Sequence, residues 1–168
     1  MMKIYLAGFD VFRPDALVHG ASLKAACADL GLEGLYPLDN QAPGDLSGLA
    51  LAQWICAANL ALIDSADMVM ANLNPFRGHE PDSGTVFETG YAVAQGKPVW
   101  GYTHETGPLL AQIPGQPDEA GRPIDAQGYV IEDFGLPLNL MLACRIQIVH
   151  GDARECLQRI AQAVGSAG

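Results

Sequence analysis

Short apolar runs alternate with helical stripes along this chain, and no other feature narrows its possible folds as much. Residues 3–7 (KIYLA) form an apolar run that stops at Gly8. Compact runs of this kind suit strands buried on both faces, and apolar residues recurring at i, i+3 and i+4 suit helices. Pro14 fits the first turn of a helix, with Asp15 beside it at the positive end of the helix dipole. Leu17, Ala21, Leu23, Ala26, Cys27 and Leu30 form its stripe, and Gly31 ends it. A strand over 33–37, a helix over 49–65, a strand over 67–73, a helix over 85–95 closed by Gly96, and a strand over 98–102 follow. The order βαβαβαβ, without repeats or a linker, predicts one α/β domain over 1–168: an open parallel sheet of about five strands with helices on both faces.

The remainder is less regular. Residues 103–125 are rich in Pro and Gly and read as an exposed excursion. A short strand over 129–131, a short helix over 138–144, an edge strand over 146–149 and a helix over 152–164 capped by Asp152 complete the expectation. The helix at 49–65 is apolar nearly all round, which predicts packing on both sides. Gln53 and Asn59 within it favour a buried helix over a membrane span. The start MMKIYLAGFD is not a signal-peptide pattern, so a cytoplasmic protein without a membrane partner is expected.

Charge excludes one class of partner. With 9 basic and 19 acidic residues, the net charge of −10 leaves no basic footprint for a nucleic-acid backbone, whereas neutral nucleosides would meet no repulsion. The four cysteines (Cys27, Cys56, Cys144, Cys156) are dispersed, with no CxxC pair. They read as reduced thiols, and neither a metal nor a cofactor is expected.

In open parallel sheets, ligands bind beyond the carboxyl ends of the strands. The segments there are 8–10, 39–41, 72–88 and the region after Tyr102, and none holds a GxGxxG or P-loop pattern. Phe9 and Phe12 either stack on a flat ligand ring or belong to the core. Asp82 and Glu88 also have two readings. Thr85 and Glu88 match a capping box, with Asp82 favouring the helix dipole. Alternatively, Glu88 points into the crevice and attacks a sugar carbon, as carboxylates do in glycosyl transfer. Tyr5 would then hold that carboxylate, or it is a core tyrosine. In the loop 72–80, Arg77 and His79 either touch a ligand or are solvated.

The segments IYLAGF, PLDNQ (37–41), DSGTVFETGYAVAQGKPV (82–99) and GLPLNLM (135–141) resemble, in this order, the nucleoside 2-deoxyribosyltransferases. The resemblance runs from about residue 3 to 141. It implies a flavodoxin-like fold and a double displacement, in which a 2'-deoxynucleoside loses its base to a covalent deoxyribosyl-enzyme and gains another with net retention. It assigns Glu88 as nucleophile, Tyr5 as the tyrosine that positions it, and Asp67 as the acid that protonates the departing base, with Asp64 a nearby rival. Gln41 is then a base contact, Asp82 lies at the 5'-hydroxyl, and Asn139 is contributed by a neighbouring subunit. Deoxynucleosides and free nucleobases are the implied partners, nucleotide salvage the setting, and a homo-oligomer with a shared site the implied assembly. Two alternatives stay open: an N-glycosidase of 2'-deoxynucleoside 5'-monophosphates on the same fold, and a non-catalytic nucleotide-binding module in which Glu88 only caps a helix.

Overall fold

A computed structural model describes residues 1–166. The elements are β1 (Met2–Ala7), α1 (Ala16–Asp29), β2 (Leu32–Leu35), α2 (Gly48–Ser65), β3 (Met68–Asn72), α3 (Ser83–Ala94), β4 (Val99–Thr103), α4 (Leu109–Gln112), β5 (Gly115–Pro117), β6 (Pro123–Asp125), α5 (Leu140–Ala143), β7 (Gln147–His150) and α6 (Ala153–Gly165). Five strands form a parallel sheet in the order β2-β1-β3-β4-β7. The expected fold class is therefore the observed one, and the strand at 146–149 forms the edge beside β4.

Strand alternation divides the core in two. Ile4, Leu6, Met68 and Met70 face one layer, where they pack with Leu23 and Cys27 of α1 and Leu157 and Ile160 of α6. Tyr5, Ala7, Val69 and Ala71 face the other, with Ile63 of α2, Ala92 of α3 and Leu142 of α5. Successive side chains on a strand point to opposite faces. The position of Tyr5 in β1 thus commits it to the α2/α3 layer.

Several local expectations change. Leu17 of the expected α1 stripe is 70% exposed. The buried positions of α1 are Ala16, Gly20, Leu23 and Cys27. Gly20 is required where the helix meets Tyr36, since a Cβ there would lie 2.4 Å from the ring. The strand expected at 129–131 reduces to a bridge between Val130 and Ile124. The excursion at 103–125 contains α4 and the antiparallel β5–β6 hairpin.

The largest correction concerns α2, which is not packed on both sides. Ile63 is its one buried residue, while Leu49 is 74% and Ile55 45% exposed. By length and composition alone α2 is also apolar enough to cross a membrane. Its C-terminal end is fixed by Lys97, whose Nζ donates to the carbonyls of Ile63, Asp64 and Ala66 at 2.6–2.7 Å. Those contacts satisfy orphan carbonyls at a helix end. Its opposite end projects past the carboxyl edge of the sheet, where its inner face meets a cavity rather than core.

Candidate active site

Tyr5 is fully buried, and its hydroxyl donates to Oε1 of Glu88 at 2.7 Å. The second contact of Glu88 comes from α2: Nδ2 of Asn59 lies 3.4 Å from the same oxygen. Glu88 is not a capping residue. The cap of α3 is Asp82, whose Oδ2 accepts from the Thr85 amide at 2.9 Å and from Thr85 Oγ1 at 3.1 Å. Thr85, expected as the cap, is a buried residue inside the helix. Starting the helix at Ser83 places Glu88 in the second turn, where its side chain is free to face Tyr5 and Asn59.

Glu88, Asn59, Asp82 and Thr85 line a cavity of about 480 Å³, within the range of small-molecule sites, with Tyr5 behind Glu88 in the core. Gly8, Val11 and Phe12 follow β1, while Pro37, Leu38, Asn40 and Ala42 follow β2. Trp54, Ile55, Ala58 and Asn59 come from α2, and Asp82, Gly84, Thr85 and Glu88 from the head of α3. The cavity therefore sits at the carboxyl edge of the sheet, as the crevice rule anticipates. Most of its wall is apolar, with one carboxylate held at its inner end.

The electrostatics of that carboxylate are mixed. Burial raises the pKa of Glu88, the hydrogen bond from Tyr5 opposes this, the charge of Asp82 adds to the rise, and Asn59 opposes it slightly. Tyr5 is driven well above the usual phenol range, first by burial and then by the charge of Glu88, so it remains a hydrogen-bond donor.

The structure does not bring Asp67 to this site. Asp67 precedes β3 at the amino edge of the sheet, where its Oδ2 accepts the Lys3 amide at 2.6 Å and its own amide donates to the Lys3 carbonyl. It closes the β1/β3 ladder at the end opposite the cavity. Asp64, its rival, accepts from Tyr91 Oη at 2.9 Å and from Gln95 Nε2 at 2.6 Å on the outer surface. Those hydrogen bonds, from Gln95 first and then Tyr91, lower its pKa, the wrong direction for an acid.

Other expected residues are distributed as follows. Phe12 lines the cavity, but Phe9 does not. Both stack on Phe76, with centroids 4.8 and 5.5 Å away, and the guanidinium of Arg77 lies over Phe76 and Phe12. Arg77 thereby closes an aromatic stack at the rim and adopts a φ of 55° to do so. Gln41 is exposed between two wall residues, Asn40 and Ala42, and is not itself part of the wall. Asn139 lies on the far flank of α3, in a groove with Pro81, Val86 and Met141. Its Nδ2 donates to Glu132 and its Oδ1 caps α5 through the Met141 amide. Within one chain it cannot meet Glu88.

Two features escaped the sequence reading. Asn59 signals itself only as a lone amide in an apolar helix. Asp10, in the turn after β1, is buried and accepts from Asn72 Nδ2 at 2.9 Å, with His19 Nε2 3.3 Å from its other oxygen. This network anchors the 3-10 turn Phe9–Phe12 that carries Phe12 to the cavity.

Comparison with known proteins gives a consistent picture. The family model described as nucleoside 2-deoxyribosyltransferase matches residues 4–141. A 2-desoxiribosyltransferase from Leishmania mexicana is similar in structure, with a TM-score of 0.79 and 31% identity over 96% of this chain and 98% of that one. An uncharacterised protein of Schizosaccharomyces pombe is 40% identical over 107 residues, which are 60% of this chain. The match spans about half of that relative, 49% of its length. A CMP N-glycosidase from Clostridium botulinum shares the fold, with a TM-score of 0.50 at 15% identity.

Proposed function

The chain belongs to the nucleoside 2-deoxyribosyltransferase family, and on that footing we propose that it exchanges the base of 2'-deoxynucleosides through a covalent deoxyribosyl ester of Glu88. The observation that carries this reading is the 2.7 Å hydrogen bond by which buried Tyr5 holds Glu88 in the wall of a cavity sized for a nucleoside. A capping role for Glu88 is taken by Asp82 instead, so the carboxylate is left for chemistry.

The reaction follows from the residue types. A carboxylate oxygen of Glu88 forms a bond to C1' as the glycosidic C–N bond breaks and its electron pair leaves with the base. The positive charge that develops on the sugar is stabilised by the negative oxygen, and the low-polarity wall strengthens that attraction. Tyr5 holds the oxygen in line. A second base then attacks C1' from the vacated side and regenerates the carboxylate. Two inversions give retention. A 2'-hydroxyl would crowd Glu88 and withdraw electrons from the forming cation, so the deoxy sugar is favoured.

Asp82 argues for an unphosphorylated substrate. Its carboxylate lies in the cavity wall, where a phosphate dianion would meet like charge. The test is to incubate the protein with deoxyinosine and adenine and to follow deoxyadenosine and hypoxanthine. Exchange is expected; its absence with every pair of natural bases would rule the transferase out. Faster base release from a 5'-monophosphate than from the free nucleoside would favour the N-glycosidase. Saturable binding without release would favour a binding module.

Two observations support a homo-oligomer with shared sites. Asn139 cannot reach its own cavity, and the outer face of α2 carries exposed Leu49 and Ile55. Sedimentation with parallel assay tests this, and a monomer that is fully active would contradict it. Nucleoside salvage in the cytoplasm is the setting this activity would serve.

A further inference from the structure

The 3-10 turn Phe9–Phe12 stands between two cavities. Val11 and Phe12 line the one that holds Glu88. Phe9 and Asp10 line a cleft of about 700 Å³ on the α1/α6 side of the sheet, with His19, Asn72 and Tyr102 around them. Side chains in a core are held by close contact on all sides. A turn with open space before and behind it has less of that support. Val11 packs against the α1/α6 core, but Phe12 is 59% exposed, and the one buried residue of the turn is not apolar: it is Asp10. A buried carboxylate is costly unless hydrogen bonds meet its charge. Here Nδ2 of Asn72, at the end of β3, donates to Oδ2 at 2.9 Å, and Nε2 of His19 in α1 lies 3.3 Å from Oδ1. The buried phenol of Tyr102 in β4 is driven well above its usual range, first by burial and then by the charge of Asp10, so it keeps its proton beside that carboxylate.

The polarity of this contact propagates. A carboxylate only accepts, so the Asn72 amide must turn its nitrogen to Asp10 and its oxygen away. That oxygen accepts from the backbone amide of Asn74 at 3.2 Å and from Asn74 Nδ2 at 2.7 Å. Asn74 thereby has its own Oδ1 left for the His104 amide, at 2.8 Å. Each side-chain amide is fixed in one orientation by the acid at the head of the chain. Asn74 also opens the segment 74–80 that carries Phe76, whose ring stacks on Phe9 and Phe12. Asn72 therefore ties down the turn from behind, through Asp10, and the loop that covers the turn, through Asn74.

We infer that Asp10 and Asn72 are positioning residues for base exchange, and that their hydrogen bond holds the turn Phe9–Phe12 in place as a wall against which the bound deoxynucleoside rests. This rests on the transferase reading. Neither side chain acts on the nucleophile. Asn72 shares its strand face with Met68 and Met70, on the α1/α6 side, whereas Tyr5 packs in the α2/α3 layer and holds Glu88 from there. Breaking the bond between Asp10 and Asn72 should loosen the wall and weaken substrate binding, while the contact of Tyr5 with Glu88 stays as it is. Binding and the chemical step are thus separable in this network.

Exchange kinetics with deoxyinosine as the varied donor and saturating adenine, well below the Tm of each variant, test the inference. Asn72→Ala should raise KM for deoxyinosine about tenfold or more and leave kcat within about threefold of the natural value. Asp10→Ala should do the same. The double variant Asp10→Asn/Asn72→Asp reverses donor and acceptor. Its new amide donates to its new carboxylate and still accepts from the His19 and Tyr102 side, and the carboxylate still accepts from Asn74. Its KM should return to within about threefold of the natural one. A network that served stability alone would lower Tm and the yield of folded protein, and would leave KM where it is.

A folded Asn72→Ala variant with the natural KM, a loss confined to kcat, or a folded double variant whose KM stays as high as that of either single one would overturn the inference. If neither single variant folds, the double variant decides: a natural KM sustains the inference and a raised one overturns it. Failure of all three to fold would assign the network to stability and overturn it as well. The natural protein would still exchange bases in each of these cases. Absence of exchange by the natural protein, by contrast, removes the transferase reading itself.

Discussion

Tyr5→Phe isolates what the phenol does for Glu88. The substitution removes one oxygen from a fully buried ring and leaves the packing of β1 against the α2/α3 layer intact. It also removes a hydrogen bond of 2.7 Å to the carboxylate, leaving Asn59 at 3.4 Å as the remaining partner. A hydrogen bond to a charged group contributes about 1.5–3 kcal/mol. The hydrogen bond favours the ionised form of Glu88, so its loss raises a pKa that burial has already raised. The carboxylate-to-carboxyl ratio should then drop by roughly ten- to a hundred-and-fifty-fold at any pH below the transition. Measured as kcat/KM for deoxyinosine against pH, the variant should be most impaired on the acid side and should approach the natural protein once both are ionised. The break in the profile at which Glu88 ionises moves to higher pH. A loss that is constant across pH would mean that Tyr5 does not act through the ionisation of Glu88. No loss at all would mean that the bond has no bearing on turnover.

Glu88→Gln should abolish exchange by several powers of ten and yet stabilise the protein at neutral pH. A carboxyl whose folded-state pKa is raised contributes stability below its unfolded value and loses it as pH rises through the folded one. Calorimetry should therefore find similar Tm values near about pH 4 and a higher Tm for the variant near pH 8; equal values at both would show that ionising Glu88 costs nothing. Asp82→Asn keeps a good N-cap but removes the negative charge that raises the pKa of Glu88. The break at which Glu88 ionises should move to lower pH, with α3 stability changed by less than the roughly 1 kcal/mol of a lost cap. Lys97→Met strands three carbonyls at the end of α2. Urea unfolding should register a loss of about 1–3 kcal/mol, and an unchanged midpoint would show that water replaces the ammonium without cost.

How far the sequence carried these inferences depends on which physical signal each residue leaves. Strand parity is strong. The alternation in KIYLA commits Tyr5 and Ala7 to one face before any helix is placed, although it does not say which helix covers that face. The direction of parallel strands is equally informative, and applied strictly it tells against Asp67. A residue that opens β3 must lie at the amino edge, whereas ligands gather at the carboxyl edge. Capping patterns are weaker, because two of them overlap here, three residues apart. Asp82 can accept from Thr85, or Thr85 can pair with Glu88, and each places the other's residues differently. The first lets the helix begin at Ser83 and satisfies both the amide and the hydroxyl of Thr85, with Glu88 released into the cavity. Hydropathy fails altogether at α2, since a wall of a nucleoside-sized cavity is as apolar as core. Within such a wall one amide carries the information. Asn59 has no apolar reason to be there, and its contact with Glu88, 29 positions away in the chain, exists only once α2 and α3 lie side by side. Polar residues isolated on apolar helices therefore mark the places where sequence patterning stops and ligand chemistry begins.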